Sequence, residues 1–213
     1  MQLFEYIDVL NQPYDIFYTD SVNSPVHWHY YSEMIYISKG SVAIICNNKK
    51  EILREGDLCY IYPLQLHEFT AACDTEVRYA VLKFDIHTIN IPKAYITKIY
   101  DIFIRRTYEA DFCMVIRGEL LNQPGIESLV DHIIKEYTDR KEFYSLQVQA
   151  DIYTLLIEMA RKTERKITGE AEKHTDTDFS FFHILEYIDI HSAESLEIQQ
   201  LAKMCHMSYS HFA

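Results

Sequence analysis

Three histidines and one glutamate are the residues of this chain best suited to chemistry. His27 and His29 flank Trp28, Glu33 and Gly40 follow, and His67 stands in a second segment that runs from Gly56-Asp57 through Pro63. Side chains two apart on an extended chain share a face, so His27, His29 and Glu33 can point to one side while Trp28 points to the other. Gly40 suits a tight turn back into the next strand. His67, arriving from another strand, completes three imidazoles and a carboxylate, a donor set suited to a first-row divalent metal. The same four side chains can instead form the polar wall of a small-molecule pocket.

The elements that must position them are legible from patterning. Over residues 1–90, the segments Tyr14 to Tyr18, Glu33 to Ser38, Val42 to Cys46, Lys50 to Leu53, Asp57 to Tyr62 and Val77 to Ile86 are short and rich in β-branched and aromatic residues. Gly40, Asn47-Asn48, Gly56 and Pro63 punctuate them. Short strands at close spacing predict a sandwich or barrel. From Pro92 the period becomes helical over residues 91–162, with Gln123-Pro124-Gly125 read as a turn between helices. The helix from Leu146 to about Lys162 is apolar on two faces. Leu146, Ala150, Tyr153, Ile157 and Ala160 form one, and Val148, Ile152, Leu155 and Met159 the other. Such a helix needs two packing partners. The barrel is one. A neighbouring helix or a second subunit is the other, and Leu155 and Met159 are assigned to that subunit contact. The polar stretch 163–178 reads as a linker, and a helical pattern resumes over 179–213.

With these elements in place, the H-x-H-x3-E-x6-G spacing and His67 resemble the two motifs of the cupin superfamily, whose metal ligands fall on His27, His29, Glu33 and His67. The chain departs from the family pattern at Ser21, Gln65 and Ala71, where two glycines and an asparagine are usual, and Pro63 lies one residue late. The C-terminal stretch carries a second resemblance. Ser195 suits an N-cap, Leu201-Ala202 suits the second helix of a helix-turn-helix, and Met207-Ser208 suits the turn and the cap of a third. This looks like the opening of the DNA-binding domain of AraC-type regulators, and the barrel and helices before it sit where that family carries its sensor. The resemblance implies an α+β chain: a cupin-like jelly-roll barrel, a helical dimerisation region and the start of an all-α helix-turn-helix domain. Its implied partners are a small-molecule effector, a second copy of the chain, and promoter DNA. Ser208, Tyr209 and His211 are the candidate DNA contacts. From Asp178 onward five acids stand against Lys203 alone. DNA binding needs Lys and Arg, so it is expected only of a full-length form extending past Ala213.

Composition narrows the alternatives. The 213 residues are 48% hydrophobic and 24% charged, a globular balance. A net charge of −12 opposes general nucleic-acid binding by the chain as it stands. No apolar run approaches the roughly 18 residues of a membrane span, and the acidic start MQLFEYIDVL lacks the shape of a secretion signal. A cytoplasmic protein without membrane contact is expected. Five scattered cysteines without a CxxC pattern predict reduced, buried thiols. The 17 tyrosines suit either a sugar-binding cavity or a half-wet sheet surface. A ligand-responsive regulator is therefore expected, not an enzyme. Its four site residues would line an effector pocket, for which the resemblance implies a carbohydrate, with no cofactor required. The alternative is a metal-dependent cupin enzyme, a sugar isomerase or dioxygenase, with His27, His29, Glu33 and His67 as ligands.

Overall fold

Turn chemistry sets the register of the strands. Asn47 and Asn48, with φ of 49° and 65°, close the hairpin between β4 (Ser41–Cys46) and β5 (Lys49–Arg54). Gly40, with φ of 77°, turns β3 (Ser32–Lys39) into β4. A Cβ at Gly40 would lie 2.3 Å from the carbonyl oxygen of Glu76, so both the backbone angle and the space require glycine there. The structure, a computed structural model, describes residues 4–5, 13–22, 24–72, 76–89, 91–105, 113–167, 188, 195–204 and 208–212.

The remaining strands are β1 (Tyr14–Thr19), β2 (Ser24–His27), β6 (Leu58–Ile61), β7 (His67–Ala71), β8 (Arg78–Phe84) and β9 (Met114–Ile116). They form two antiparallel sheets, β1-β8-β3-β6-β9 and β2-β7-β4-β5. This is the sandwich of the expected α+β class. Alternate residues of each strand face the space between the sheets. Ile35 and Ile37 of β3, Ile44 of β4, Phe69 of β7, and Tyr79 and Val81 of β8 fill it in one cluster. Each such burial stabilises the fold by about 1.5–3 kcal/mol. Cys46, Cys59 and Cys113 belong to this cluster as free buried thiols. Cys73 and Cys205 lie outside the described residues.

Three strands lie outside the six segments that patterning named, although His67 was expected on a strand. β2 and β7 are rich in Ser, Pro, His and Glu, poor strand formers that become strands by pairing with each other, β7 also with β4. β9 lies within the stretch read as purely helical, yet it pairs with β6 at the sheet edge.

The helical part begins with α1 (Lys93–Tyr100), which continues into a π-helical turn at Asp101–Arg105. Then come α2 (Gln123–Asp139) and α3 (Tyr144–Ile167). Gln123-Pro124-Gly125 does not separate helices but opens α2. Proline in the first turn lacks only an N–H that would have no partner there, and its fixed φ suits the helix. Tyrosines bind these helices to the five-stranded sheet. The Tyr18 hydroxyl donates to Asp131 Oδ1 at 2.7 Å, Tyr137 to the Tyr14 carbonyl at 2.9 Å, and Tyr60 to the Phe103 carbonyl at 3.0 Å.

On α3, Val148, Ile152, Leu155, Leu156 and Met159 are fully buried, whereas Leu146 is 64% exposed. This corrects the assignment of Leu155 and Met159 to a subunit contact: they belong to the interior. The face left open is that of Leu146, Tyr153 and Ile157.

The chain divides into two compact units, Met1–Lys166 and Ile167–Ala213. Most of the expected linker, from residue 168 to 178, lies outside the described residues. In the second unit, α4 (Ile198–Met204) and α5 (Tyr209–Phe212) are described, with Leu201 and Ala202 buried. Among the described residues, no helix is long and apolar enough to cross a membrane.

Candidate functional site

His27, His29, Glu33 and His67 converge. Their ligand atoms all lie within 4.8 Å of one another. They do not share one strand face, as simple alternation suggested. His27 ends β2 in the four-stranded sheet, and Glu33 lies in β3 in the other sheet. His29 sits on the crossing between them, and His67, at the start of β7, is the register partner of His27. The site is therefore a corner where the chain changes sheets. Trp28 faces away from it, packed on Phe4 with ring centroids 4.6 Å apart.

Each imidazole is oriented by a main-chain carbonyl. Nδ1 of His27 lies 2.8 Å from the Pro25 oxygen, Nδ1 of His29 lies 3.1 Å from the Tyr31 oxygen, and Nδ1 of His67 lies 2.8 Å from the Gln65 oxygen. A carbonyl can only accept, so each Nδ1 carries the proton and donates it. Every Nε2 therefore faces the cluster, and a ring that carries only the Nδ1 proton presents a lone pair there. Nε2 of His29 lies 2.9 Å from Glu33 Oε2 and, since a carboxylate oxygen only accepts, is the donor of that hydrogen bond, whereas Nε2 of His67 is 3.2 Å from the same oxygen. The second approach is close without being aligned, and His67 Nε2 is a buried nitrogen with no hydrogen-bond partner.

The electrostatics follow from this crowding. Burial alone would raise the Glu33 carboxyl, but His29 and His67 outweigh it and hold Glu33 well below the usual carboxylate range. Burial, reinforced by the nearby His67, lowers His27 and so favours its neutral, ligating form. Histidine Nδ1–H groups pinned to carbonyls, with Nε2 lone pairs and a carboxylate converging, are the usual orienting arrangement of a metal centre. The donor set fits a divalent first-row ion. His29, Glu33 and His67 are at most 2% exposed, whereas the His27 side chain is 13% exposed, so access is from the His27 side.

Two nearby residues escaped the sequence reading. Lys83 of β8 stands directly opposite Glu33 in register, on the inner face with Tyr79 and Val81. Glu5 reaches across, with Oε2 3.6 Å from His27 Nε2. Lys83 had a readable signal, a lysine in the apolar phase of a buried strand. Glu5 had none. Asp57, by contrast, belongs to the second motif segment but binds Arg117 at 2.6 Å, away from the tetrad.

In the second unit, Ser208 immediately precedes α5, and Ser208 and Tyr209 are exposed. His211 follows in the same helix; its side chain lies outside the described part.

Residues 18–85, which include the whole tetrad, match the cupin domain family. Among solved structures, a cupin protein from Bacteroides fragilis is similar over 38% of this chain and 71% of its own, with 21% identity and a TM-score of 0.33. ToxT from Vibrio cholerae is similar over 93% of this chain and 91% of its own, with 11% identity and a TM-score of 0.45. ToxT solved with an unsaturated fatty acid bound gives 93%, 88%, 11% and 0.44 in the same measures. No curated protein sequence matches the chain.

Proposed function

We propose that this chain is the sensing part of a ligand-responsive transcription regulator of AraC type, and that its tetrad is the effector site, built to hold a divalent cation. The carrying observation is the pinning of all three histidines through Nδ1 to carbonyls, with His67 Nε2 left unpartnered beside Glu33. His27, His29, Glu33 and His67 would hold the ion. When bound, it would supply a Lewis-acidic anchor for an oxygen-bearing ligand. The interior beyond the tetrad is filled by Ile35, Ile37, Phe69 and Val81, so the ligand is small and enters beside His27. The regulator reading is supported by a second unit in which α4 and α5 are interrupted near Ser208, as in the opening of a helix-turn-helix. Homodimerisation is assigned to the open face of α3. There Tyr153 and Ile157 line a groove of about 320 Å³ with Tyr95 and Ile102. Promoter DNA is assigned to the full-length form.

The tetrad equally suits the second reading, a metal-dependent cupin enzyme. Metal analysis of protein purified without chelators, followed by promoter binding of the full-length form with and without candidate effectors, separates the two. One equivalent of a transition metal with effector-dependent DNA binding supports the regulator. Metal with substrate turnover and no DNA binding replaces it by the enzyme.

A further inference from the structure

A second charged pair lies at the mouth of the tetrad, and the metal reading makes no use of it. Lys83 is 6% exposed and stands in register with Glu33 on one side and Asp15 on the other. Burial would lower its pKa, but Glu33, Glu5 and Asp15 outweigh that and keep it an ammonium. A charge so nearly dry needs an anion in contact. Glu33 is committed to the imidazoles. The contact is made by Glu5, whose Oε1 and Oε2 lie 2.9 and 2.7 Å from Lys83 Nζ. The same Oε2 faces His27 Nε2 at 3.6 Å.

Glu5 belongs to neither sheet. Its N–H donates to the Trp28 carbonyl at 3.0 Å, and Phe4 beside it packs on Trp28 and Tyr30. Its side chain is 37% exposed, so it covers the site from the solvent side while Lys83 and the tetrad lie behind it. A carboxylate placed with both oxygens on a built-in ammonium, at the open edge of a histidine cluster, stands where the head group of a ligand would sit.

We propose that Lys83, at the edge of the tetrad beside His27, forms an anion subsite that takes the carboxylate of a small organic acid, and that Glu5 holds this subsite as an internal stand-in which the acid displaces. Calling the acid an effector rests on the regulator reading; the subsite itself does not need the metal. A neutral ligand that removed Glu5 would leave the ammonium without a counter-ion. A multiply charged phosphate would meet Glu33 and Asp15. A single carboxylate matches the charge that is there. Displacement also has an outlet, because Glu5 leaving takes Phe4 off Trp28.

Trp28 is the only tryptophan, so its fluorescence reports the event. Acetate is the probe and acetamide its neutral control, both titrated into chelator-treated chain so that acetate cannot bind through a metal. A tethered carboxylate competes at an effective concentration on the order of millimolar, so removing it must tighten binding. The expected results are a saturable response to acetate and none to acetamide. Glu5→Gln, followed by thermal shift, should bind acetate at least about tenfold more tightly. Lys83→Met should lose binding, with Lys83→Arg restoring it. Equal acetate affinity in Glu5→Gln and the unmodified chain would overturn the proposal, and so would acetate binding that survives Lys83→Met. Should Lys83→Met fail to fold, the Glu5→Gln comparison decides alone, since Glu5 is part exposed. A chain that holds no metal yet passes these tests retains the subsite and loses only the metal reading.

Discussion

Two polar clusters in the first unit differ in what they leave unsatisfied. Around Arg117, opposite charges answer one another. Its guanidinium donates to Asp57 Oδ2 at 2.6 Å and to the Ile52 carbonyl at 3.0 Å, and pairs with Glu51. Asp57 also accepts from the N–H of Gly118 at 2.9 Å and of Arg54 at 3.0 Å. This cluster latches the segment after β9 onto the β5–β6 turn. The tetrad is the reverse. Its outer nitrogens are used up on carbonyls, and its inner face crowds three Nε2 atoms around one carboxylate, one of them a buried nitrogen without a partner. A cluster that satisfies itself holds a fold together, whereas one that cannot do so calls for something from outside.

That contrast breaks most readily at the latch. Asp57→Ala removes a buried carboxylate that answers three donors and strands the Arg117 guanidinium, which is partly solvated. The expected cost is about 3 kcal/mol of folding stability in urea titration, with unchanged metal stoichiometry in the fraction that remains folded. A loss under about 1 kcal/mol would show that the latch is surface decoration. At the tetrad the effect should fall on the other axis. His29→Ala should weaken zinc or manganese binding by at least about 100-fold, measured by competition with a chromophoric chelator. It should also cost the metal-free chain some stability, though without unfolding it, because Glu33 loses one of the two imidazoles that offset its burial. If His29→Ala unfolds the protein while a metal-loaded form cannot be made at all, the tetrad is a second latch and the contrast disappears.

Much of this was written in the sequence, unevenly. The spacing of His27, His29, Glu33 and Gly40 announced the site because donor types are few and the required turn admits little besides glycine. The route by which they meet was hidden. Period-two alternation assumes a continuous strand, and here the chain changes sheets between His27 and Glu33. Lys83 and Glu5 were missed because they enter through tertiary placement, 78 residues apart in the chain. On α3 the pattern gave two apolar faces but no means of telling which was inside. Both have the same period, and only tertiary packing decides that Leu155 is buried and Leu146 exposed. β9 is three residues long, too short for any periodicity, and exists because β6 offers it an edge.

The finest test of the contrast concerns the orientation of His27, the most accessible member of the tetrad. Its Nδ1 has two neighbours, the Pro25 carbonyl at 2.8 Å and the Ser24 hydroxyl at 3.4 Å. If the proton belongs to the carbonyl, the ring is fixed by the main chain and the serine is a bystander that can at best donate weakly elsewhere. If the hydroxyl shares the role, removing it frees the ring to rotate about χ2 and turns Nε2 out of the cluster. The shorter contact and the fixed position of a strand carbonyl favour the first case. Ser24→Ala should therefore change metal affinity by less than about threefold, well under the 10–100-fold cost of losing a true orienting partner. A loss of tenfold or more, with folding stability unchanged, would place Ser24 among the groups that aim the site. It would also show that its orientation depends on side chains as well as on the backbone.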